Sequence, residues 1–300
     1  MKSSELSGTG CVVAHYGVAV AVRLESGQEG RVRVSGKTPL RVGDRVVVEA
    51  STLIRVTPAK GVLSRRDSHG RIRSVAANLD ALGIVIAPRP ESPEGFVDRG
   101  LVAARASGLD ALVVINKADL GTVAALREAM EERYSGGVKT LLVSAKSGLG
   151  LDALGAWLGE GRRGVFVGTS GVGKSSLLNA LLPELDLAVG EINDVSGLGR
   201  HVTSTATLHR LPTGGELIDT PGFRDFGPVE VSPAELAAFF PGFEEGLGRG
   251  CRFRNCLHRG EPACGVQDEL EAGGISRSRH AGYLALLAEL EAIGAKRQRG

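Results

Sequence analysis

Apolar and polar positions alternate with a period of two near the start of the chain, over Val18-Ala19-Val20-Ala21-Val22-Arg23 and Gly30-Arg31-Val32-Arg33-Val34. Ser26-Gly27 and Ser35-Gly36 supply turns, and Val46-Val47-Val48 and Leu53-Ile54-Arg55-Val56 continue the series. Short strands at this spacing predict a small β-barrel of the OB type that ends near Pro58-Ala59-Lys60. Leu63 to Arg73 is expected to connect it to a second domain. There the pattern changes to apolar runs, Leu82-Gly83-Ile84-Val85-Ile86, Leu112-Val113-Val114-Ile115, Thr140-Leu141-Leu142-Val143 and Gly164-Val165-Phe166-Val167, with Gly215-Glu216-Leu217-Ile218 also strand-like. Such runs read as buried strands, and helical patterns over Phe96 to Ala106, Val123 to Tyr134 and Ser175 to Leu182 alternate with them, as in an α/β domain. Glu91-Ser92-Pro93-Glu94 reads as a polar loop and Leu149 to Gly164 as a connection. Helical patterns return after Ser232-Pro233-Ala234-Glu235 and over Tyr283 to Ile293, with no internal repeat. Three domains are expected, over residues 1–60, 61–228 and 229–300.

The run at Val167 leads into Gly168-Thr169-Ser170-Gly171-Val172-Gly173-Lys174-Ser175, which fits G-x-x-x-x-G-K-[ST] between a strand and a helix. Backbone N–H groups of a Gly-rich turn at a helix N-terminus cradle phosphates, the lysine reaches the β and γ oxygens, and the Ser175 hydroxyl holds Mg²⁺. Ser176 completes the loop set. Upstream, the strand at Ile115 ends in Asn116-Lys117-Ala118-Asp119, and the one at Val143 in Ser144-Ala145-Lys146. An acceptor-only carboxylate at Asp119 takes both the ring N–H and the exocyclic amine of guanine, whereas adenine presents a lone pair there. Asn116 would brace the loop, the Lys117 stem would lie along the base, and the Ser144-Ala145-Lys146 backbone would meet the guanine oxygen. Asp219-Thr220-Pro221-Gly222 comes last, with Asp219 reaching Mg²⁺ through water and the Gly222 N–H sensing the γ-phosphate.

In an ordinary GTPase the phosphate loop precedes the base-reading motif. Here it comes after, so the parts are those of a circularly permuted GTPase. Gly199-Arg200-His201-Val202-Thr203-Ser204-Thr205 lies between the phosphate loop and Asp219. Thr203 is the choice for the switch threonine that caps Mg²⁺ and the γ-phosphate, with Thr205 the alternative. Phe223 follows Gly222 where a Ras-type enzyme carries a water-positioning Gln, so unaided turnover should be slow. His201 either supplies the missing polar function or is a loop histidine without a catalytic role.

On these permuted motifs, the G-R-H-x-T segment, the context from Leu63 to Asp67 and a Cys/His cluster near the C-terminus, the chain resembles the RsgA (YjeQ) family of ribosome-small-subunit-dependent GTPases over nearly its whole length. Members usually carry three threonines after G-R-H, where this chain reads Val202-Thr203-Ser204. The resemblance implies late maturation of the small ribosomal subunit, with that subunit and its rRNA as partners and GTP and GDP as ligands. GTP turnover timed by the ribosome is the enzymatic reading. The alternative is a nucleotide-gated rRNA-binding module in which hydrolysis is incidental.

Three of the four cysteines fall in Cys251-x4-Cys256-x-His258-x5-Cys264. Three thiolates and an imidazole suit one closed, tetrahedral structural Zn²⁺ site, and three clustered cysteines cannot all pair as disulfides. The start Met1-Lys2-Ser3-Ser4-Glu5 is polar, and no apolar run approaches the ~20 residues that span a bilayer. A soluble, cytoplasmic monomer is expected. Formal net charge is only +2, yet residues 1–75 hold 13 Lys/Arg against 6 Asp/Glu, leaving the rest acidic. With Tyr16 its only aromatic, the basic barrel would grip RNA phosphates rather than stack bases, or else present a solvated face. Arg249, Arg252, Arg254 and Arg259 form a second basic stretch around the metal cluster.

Overall fold

The computed structural model describes residues 5–16, 19–34, 39–66, 71–134, 137–159, 161–185, 206–220, 227–228 and 230–298. Its first strands are β1 (Gly8–His15), β2 (Ala19–Leu24), β3 (Glu29–Arg33), β4 (Arg45–Glu49) and β5 (Thr52–Val56). They pair in the order β1-β2-β3-β5-β4, and β4 returns to β1 from Gly8↔Val48 to Cys11↔Arg45, which closes an OB-like barrel. Val20, Val22, Val32, Val46 and Val48 fill its interior, while Arg31, Arg33 and Arg45 face outward and are exposed, as period two demands. β1 is absent from the predicted series because Gly8-Thr9-Gly10 carries no alternation. Pairing with β2 on one side and β4 on the other holds it extended.

The stretch expected to be a plain connection forms a hairpin, β6 (Leu63–Arg66) with β7 (Ile72–Ala76). Next come β8 (Ala81–Ile86), α1 (Phe96–Ala106), β9 (Asp110–Ile115), α2 (Val123–Arg133), β10 (Thr140–Leu142), α3 (Leu151–Trp157), β11 (Arg163–Val167), α4 (Lys174–Leu181), β12 (Thr207–Arg210) and β13 (Glu216–Asp219). The sheet runs β10-β9-β8-β11-β13-β12 and is parallel except at β12. Leu149 to Gly164 therefore holds a helix, α3, rather than only a link. α1 and α2 cover Ile84, Ile86, Val113 and Ile115 on one face, and α3 and α4 cover Val85, Leu112, Val114 and Phe166 on the other. Burial on both faces is why these strands read as apolar runs without alternation. The chain moves outward from β8 to β10 and then returns to β11 on the far side of β8. Ligands of such sheets bind at the carboxyl ends beside this reversal.

The last part comprises α5 (Leu236–Phe239), α6 (Glu244–Arg249), α7 (Gly265–Glu271) and α8 (Arg277–Gln298) around Phe240, Phe243 and Tyr283. α8 begins before the predicted Tyr283, where the Arg279 N–H donates to Ser276 Oγ at 3.2 Å. No helix among the described residues is long and apolar enough to cross a membrane.

β1 pairs with β12 at Ala14↔Thr207, so the barrel continues the central sheet, and two sets of side-chain contacts help seat the outer parts. Arg163, at the start of β11, donates to the Gly43 carbonyl of the barrel at 2.9 Å and to Glu216 of β13 at 2.6 Å. On the other side Asp98 of α1, 1% exposed, accepts from Arg133 at 2.6 Å and from the Tyr134 hydroxyl at 2.8 Å. Arg279 of α8 donates to the Arg133 carbonyl at 3.0 Å and lies over the Tyr134 ring at 4.9 Å. Gly282 must be small, since a Cβ there would stand 2.5 Å from an Arg133 nitrogen and 2.9 Å from Asp98.

Removing a buried carboxylate strands its partners, so Asp98→Ala should cost about 3 kcal/mol. Asp110 has more partners, Lys139, Trp157 and Arg162, but its side chain is a third exposed. Asp110→Ala should cost about 1 kcal/mol. Urea unfolding followed by circular dichroism compares them, and a larger loss at Asp110 contradicts this ordering.

Candidate nucleotide and metal sites

Four loops meet at the carboxyl edge of the sheet, after β9, β10, β11 and β13. Asn116, 1% exposed, ties three of them to each other and to β8. Its Nδ2 donates to the Val172 carbonyl at 2.8 Å, its Oδ1 accepts from the Ala145 N–H at 3.3 Å, and its own N–H donates to the Ile86 carbonyl at 2.8 Å. The bond into the phosphate loop goes beyond the bracing read from sequence. It also explains Gly173, which has φ +96° and would place a Cβ 2.3 Å from Asn116 Nδ2.

Asp119 is exposed, and its Oδ1 accepts from Ser144 Oγ at 2.6 Å. That bond holds the Asp119 carboxyl below the usual carboxylate range. Ser144, fully buried, also accepts the Ser147 N–H at 3.1 Å, so both base-side loops share one hydroxyl. Lys117 adopts φ +61° and donates from Nζ to the Arg89 carbonyl at 2.7 Å, and Ala118 N–H donates to Val143. Lys146 is exposed beside them.

In the phosphate loop Lys174 folds back, donating to the Gly168 carbonyl at 2.7 Å and the Thr169 carbonyl at 3.0 Å. Ser170, Gly171 and Ser175 are exposed at the rim, while Val172 is buried beneath it and Ser176 half-buried. Burial raises the Asp219 carboxyl above its usual range, and the charge of Lys174 pulls the other way, so β11 and β13 bring these two groups together. Thr169 Oγ1 and Thr220 Oγ1 are buried in the same region without a hydrogen-bond partner. His201, Thr203, Thr205, Gly222 and Phe223 lie outside the described residues.

Cys251, Cys256, His258 and Cys264 converge, their ligand atoms all within 4.8 Å of one another. A β-bridge between Cys251 and Cys264 and a positive φ of 58° at His258 turn the loop in on itself. Behind it, the His258 carbonyl accepts from Gln267 at 2.9 Å, and Tyr283 donates to the Leu257 carbonyl at 2.9 Å. Burial pushes the Cys256 thiol up to about 12 and the Cys264 thiol upward. A cation would reverse that, because a bound metal favours the thiolate. The cluster can hold a metal ion. Cys11 stands apart at the barrel, 3.5 Å from Arg163.

The two basic surfaces differ. On the barrel Arg31, Arg33, Arg45 and Arg55 are exposed, and the Arg31 guanidinium covers the Tyr16 ring at 5.1 Å. Around the metal cluster the positive charge is smaller than the sequence suggests. Helices distant in sequence bring Glu269 to Arg249 and Glu291 to Arg259, each at 2.7 Å. The sequence signals none of Gln267, Tyr283, Glu269 or Glu291 as neighbours of the cluster.

Gly173→Ala should cost about 2 kcal/mol through backbone strain and displacement of Asn116. Gly148, at φ +84° with open space around it, isolates the strain alone. Gly148→Ala should cost about 1 kcal/mol. Equal losses in chemical denaturation would show that the Asn116 contact matters little.

A model of the RsgA GTPase family matches residues 56–228. Small ribosomal subunit biogenesis GTPase RsgA of Pseudomonas savastanoi pv. phaseolicola is 43% identical over 295 residues, which covers 94% of this chain and 85% of the relative. The protein of that name from Pseudomonas aeruginosa PAO1 is 42% identical over 300 residues with the same coverage. Among solved structures, YjeQ from Thermotoga maritima superposes with a TM-score of 0.75 at 33% identity, covering 95% of this chain and 99% of that one. YloQ, a circularly permuted GTPase, gives 0.72 at 26% identity, covering 97% and 98%. A chain whose base-side loops precede its phosphate loop, and which aligns with these proteins along nearly all its length, belongs to the RsgA family of circularly permuted GTPases.

Proposed function

We propose that this chain hydrolyses GTP to GDP and phosphate under stimulation by the small ribosomal subunit, assists late maturation of that subunit, and is released by the hydrolysis. The observation that carries the reading is Asn116, which joins a carboxylate suited to guanine to a loop suited to phosphate. Asp119, oriented by Ser144, reads the two guanine donors, with Asn116, Lys117, Ala118, Ala145 and Lys146 forming the base side. Gly168 to Ser176 hold the phosphates, and Lys174 exchanges its two loop carbonyls for β and γ oxygens. Mg²⁺ with the nucleotide would be held by Ser175, Thr203 and Asp219, with Gly222 sensing the γ-phosphate. His201 and Thr203 join Lys174 as the catalytic set.

Cys251, Cys256, His258 and Cys264 would hold one Zn²⁺ per chain. Tetrahedral coordination at about 2.3 Å from sulfur and about 2.0 Å from nitrogen puts sulfurs about 3.8 Å apart and sulfur and nitrogen about 3.5 Å apart. Cys251 and Cys264 sulfurs stand 3.8 Å apart, and His258 Nδ1 lies 3.6 and 3.3 Å from them. Residues 1–60 form the rRNA-binding barrel, 61–228 the GTPase domain and 229–300 the zinc domain, in a cytoplasmic monomer. The exposed barrel arginines support phosphate contacts, and the single Arg-covered Tyr16 argues against base stacking. The module reading, with incidental hydrolysis, rests on Phe223 in place of a water-positioning Gln.

Turnover of GTP with and without purified small subunits separates the two readings. Partner-assisted GTPases accelerate by about 10³–10⁵, and a gain of this kind is expected. Asp119→Asn should meanwhile shift preference from guanine to xanthine nucleotide. No stimulation, or unchanged GTP preference in Asp119→Asn, contradicts the proposal.

Zinc analysis of the purified chain should give one ion. A Cys256→Ala, Cys264→Ala double variant should lose it, unfold the C-terminal part alone, keep GTP binding and attach more weakly to small subunits. Full zinc content in that variant refutes the ligand set.

A further inference from the structure

Val12 and Val13 are neighbours in β1 and both are buried, although successive side chains of a strand point to opposite faces. The pairing with β2 explains how. Val12 registers with Val22 and Ala14 with Ala21, so Val13 is the extra residue of a β-bulge. A bulge re-aims a side chain. Val12 fills the barrel interior with Val20, Val22 and Val46, whereas Val13 joins the core of the central sheet with Leu208 of β12 and Ile218 of β13. One barrel strand thus contributes to two cores.

The same place carries the backbone link between barrel and sheet. Ala14 pairs with Thr207, the first residue of β12, and Thr207 pairs in turn with Asp219, the last residue of β13. β11 keeps register with β13 up to Val165↔Ile218, one residue short of Asp219, so the rung at Asp219 is made from the β12 side. Strand ends fray unless neighbours hold them, and β12 has only four residues. β1 supplies the hold at Thr207. Asp219 itself is a half-buried carboxylate whose charge burial disfavours, an environment that suits a cation. We infer that β1 of the barrel is a positioning element for Asp219: the bulged Val13 packs with Leu208 and Ile218, the Ala14–Thr207–Asp219 rung fixes the carboxylate, and together they set the affinity for the Mg²⁺ of the bound nucleotide. This rests on the magnesium role proposed above for Asp219. Val13 is a positioning residue, acting on the metal only through that carboxylate.

Val12 provides a matched control, because Val12→Ala makes the same substitution one residue away but opens the barrel core alone. Binding of a fluorescent, non-hydrolysable GTP analogue to the full chain is titrated with Mg²⁺, in buffer freed of divalent ions beforehand so that the Cys/His cluster is not stripped. The readout is the Mg²⁺ concentration at half effect, with nucleotide affinity in the absence of Mg²⁺ measured alongside. Val13→Ala should raise that concentration roughly ten-fold, the low end of the range for groups that orient a metal's ligands, and leave the metal-free affinity unchanged. Val12→Ala should lower stability to urea by a similar amount and keep the Mg²⁺ dependence of the wild type. Val13→Ile, which overpacks the same site without opening a cavity, should also weaken Mg²⁺ and keeps the test decisive where Val13→Ala does not fold. Equal Mg²⁺ dependence in Val12→Ala and Val13→Ala, or in Val13→Ile and the wild type, would overturn the positioning role. Asp219→Ala separates this inference from the reading beneath it, and should weaken Mg²⁺ by up to about 100-fold. An unchanged Mg²⁺ dependence in Asp219→Ala refutes the magnesium role and the inference with it, whereas a weakened one with Val13→Ala neutral refutes the inference alone.

Discussion

Three of the four loops at the carboxyl edge of the sheet are held together by the side chain of Asn116. A buried amide carries donors and acceptors that must be matched, and burying one unmatched costs on the order of 1–3 kcal/mol. Here the match is made across the fold: Val172 in the phosphate loop takes the N–H, and Ala145 in the loop after β10 supplies the other bond. Segments 29 and 56 residues away are thereby held in register with the loop that carries Asp119. Gly173 is the complementary constraint, because a side chain there would occupy the space of the amide.

Permutation changes what lies at the ends of this arrangement without changing its centre. The order in which strands are added reverses between β8 and β11, and the crevice opens there whichever strand comes first in the chain. What moves is the tethering. Arg163 joins the barrel to the starts of β11 and β13, the strands that lead to Lys174 and Asp219. The Asp98, Arg133, Tyr134 and Arg279 cluster joins the C-terminal helices to α2, which starts just past Asp119. Each outer part thus rests on elements with one end near the nucleotide site, a layout suited to passing partner contact into a change of nucleotide affinity.

Much of this was legible in sequence because the chemistry is local. A phosphate loop needs its glycines and lysine within eight residues, and Cys251 to Cys264 span a single folded loop. The apolar runs at Leu82, Leu112 and Gly164 announced strands covered on both sides. β1 was hidden, because Gly8-Thr9-Gly10 is extended by its neighbours rather than by its own residues. The β6–β7 hairpin and α3 were passed over because they are short, 4 and 5 residues for the strands and 7 for the helix, and packing decides them. Asp98 and Arg279 could not be paired from sequence, since nothing periodic links positions so far apart. Nor did the run of arginines at 249–259 reveal the glutamates that helices α7 and α8 deliver to it.

The bracing role of Asn116 is tested most directly by separating base from phosphate. Calorimetric titration of Asn116→Ala with GDP and, separately, with magnesium pyrophosphate asks whether this side chain supports only the guanine loop or the phosphate loop as well. Bracing of both predicts that the two ligands lose affinity together, each by roughly ten-fold or more for a buried bond removed. Loss of GDP affinity with pyrophosphate binding unchanged would confine Asn116 to the base and contradict the structure's central tie.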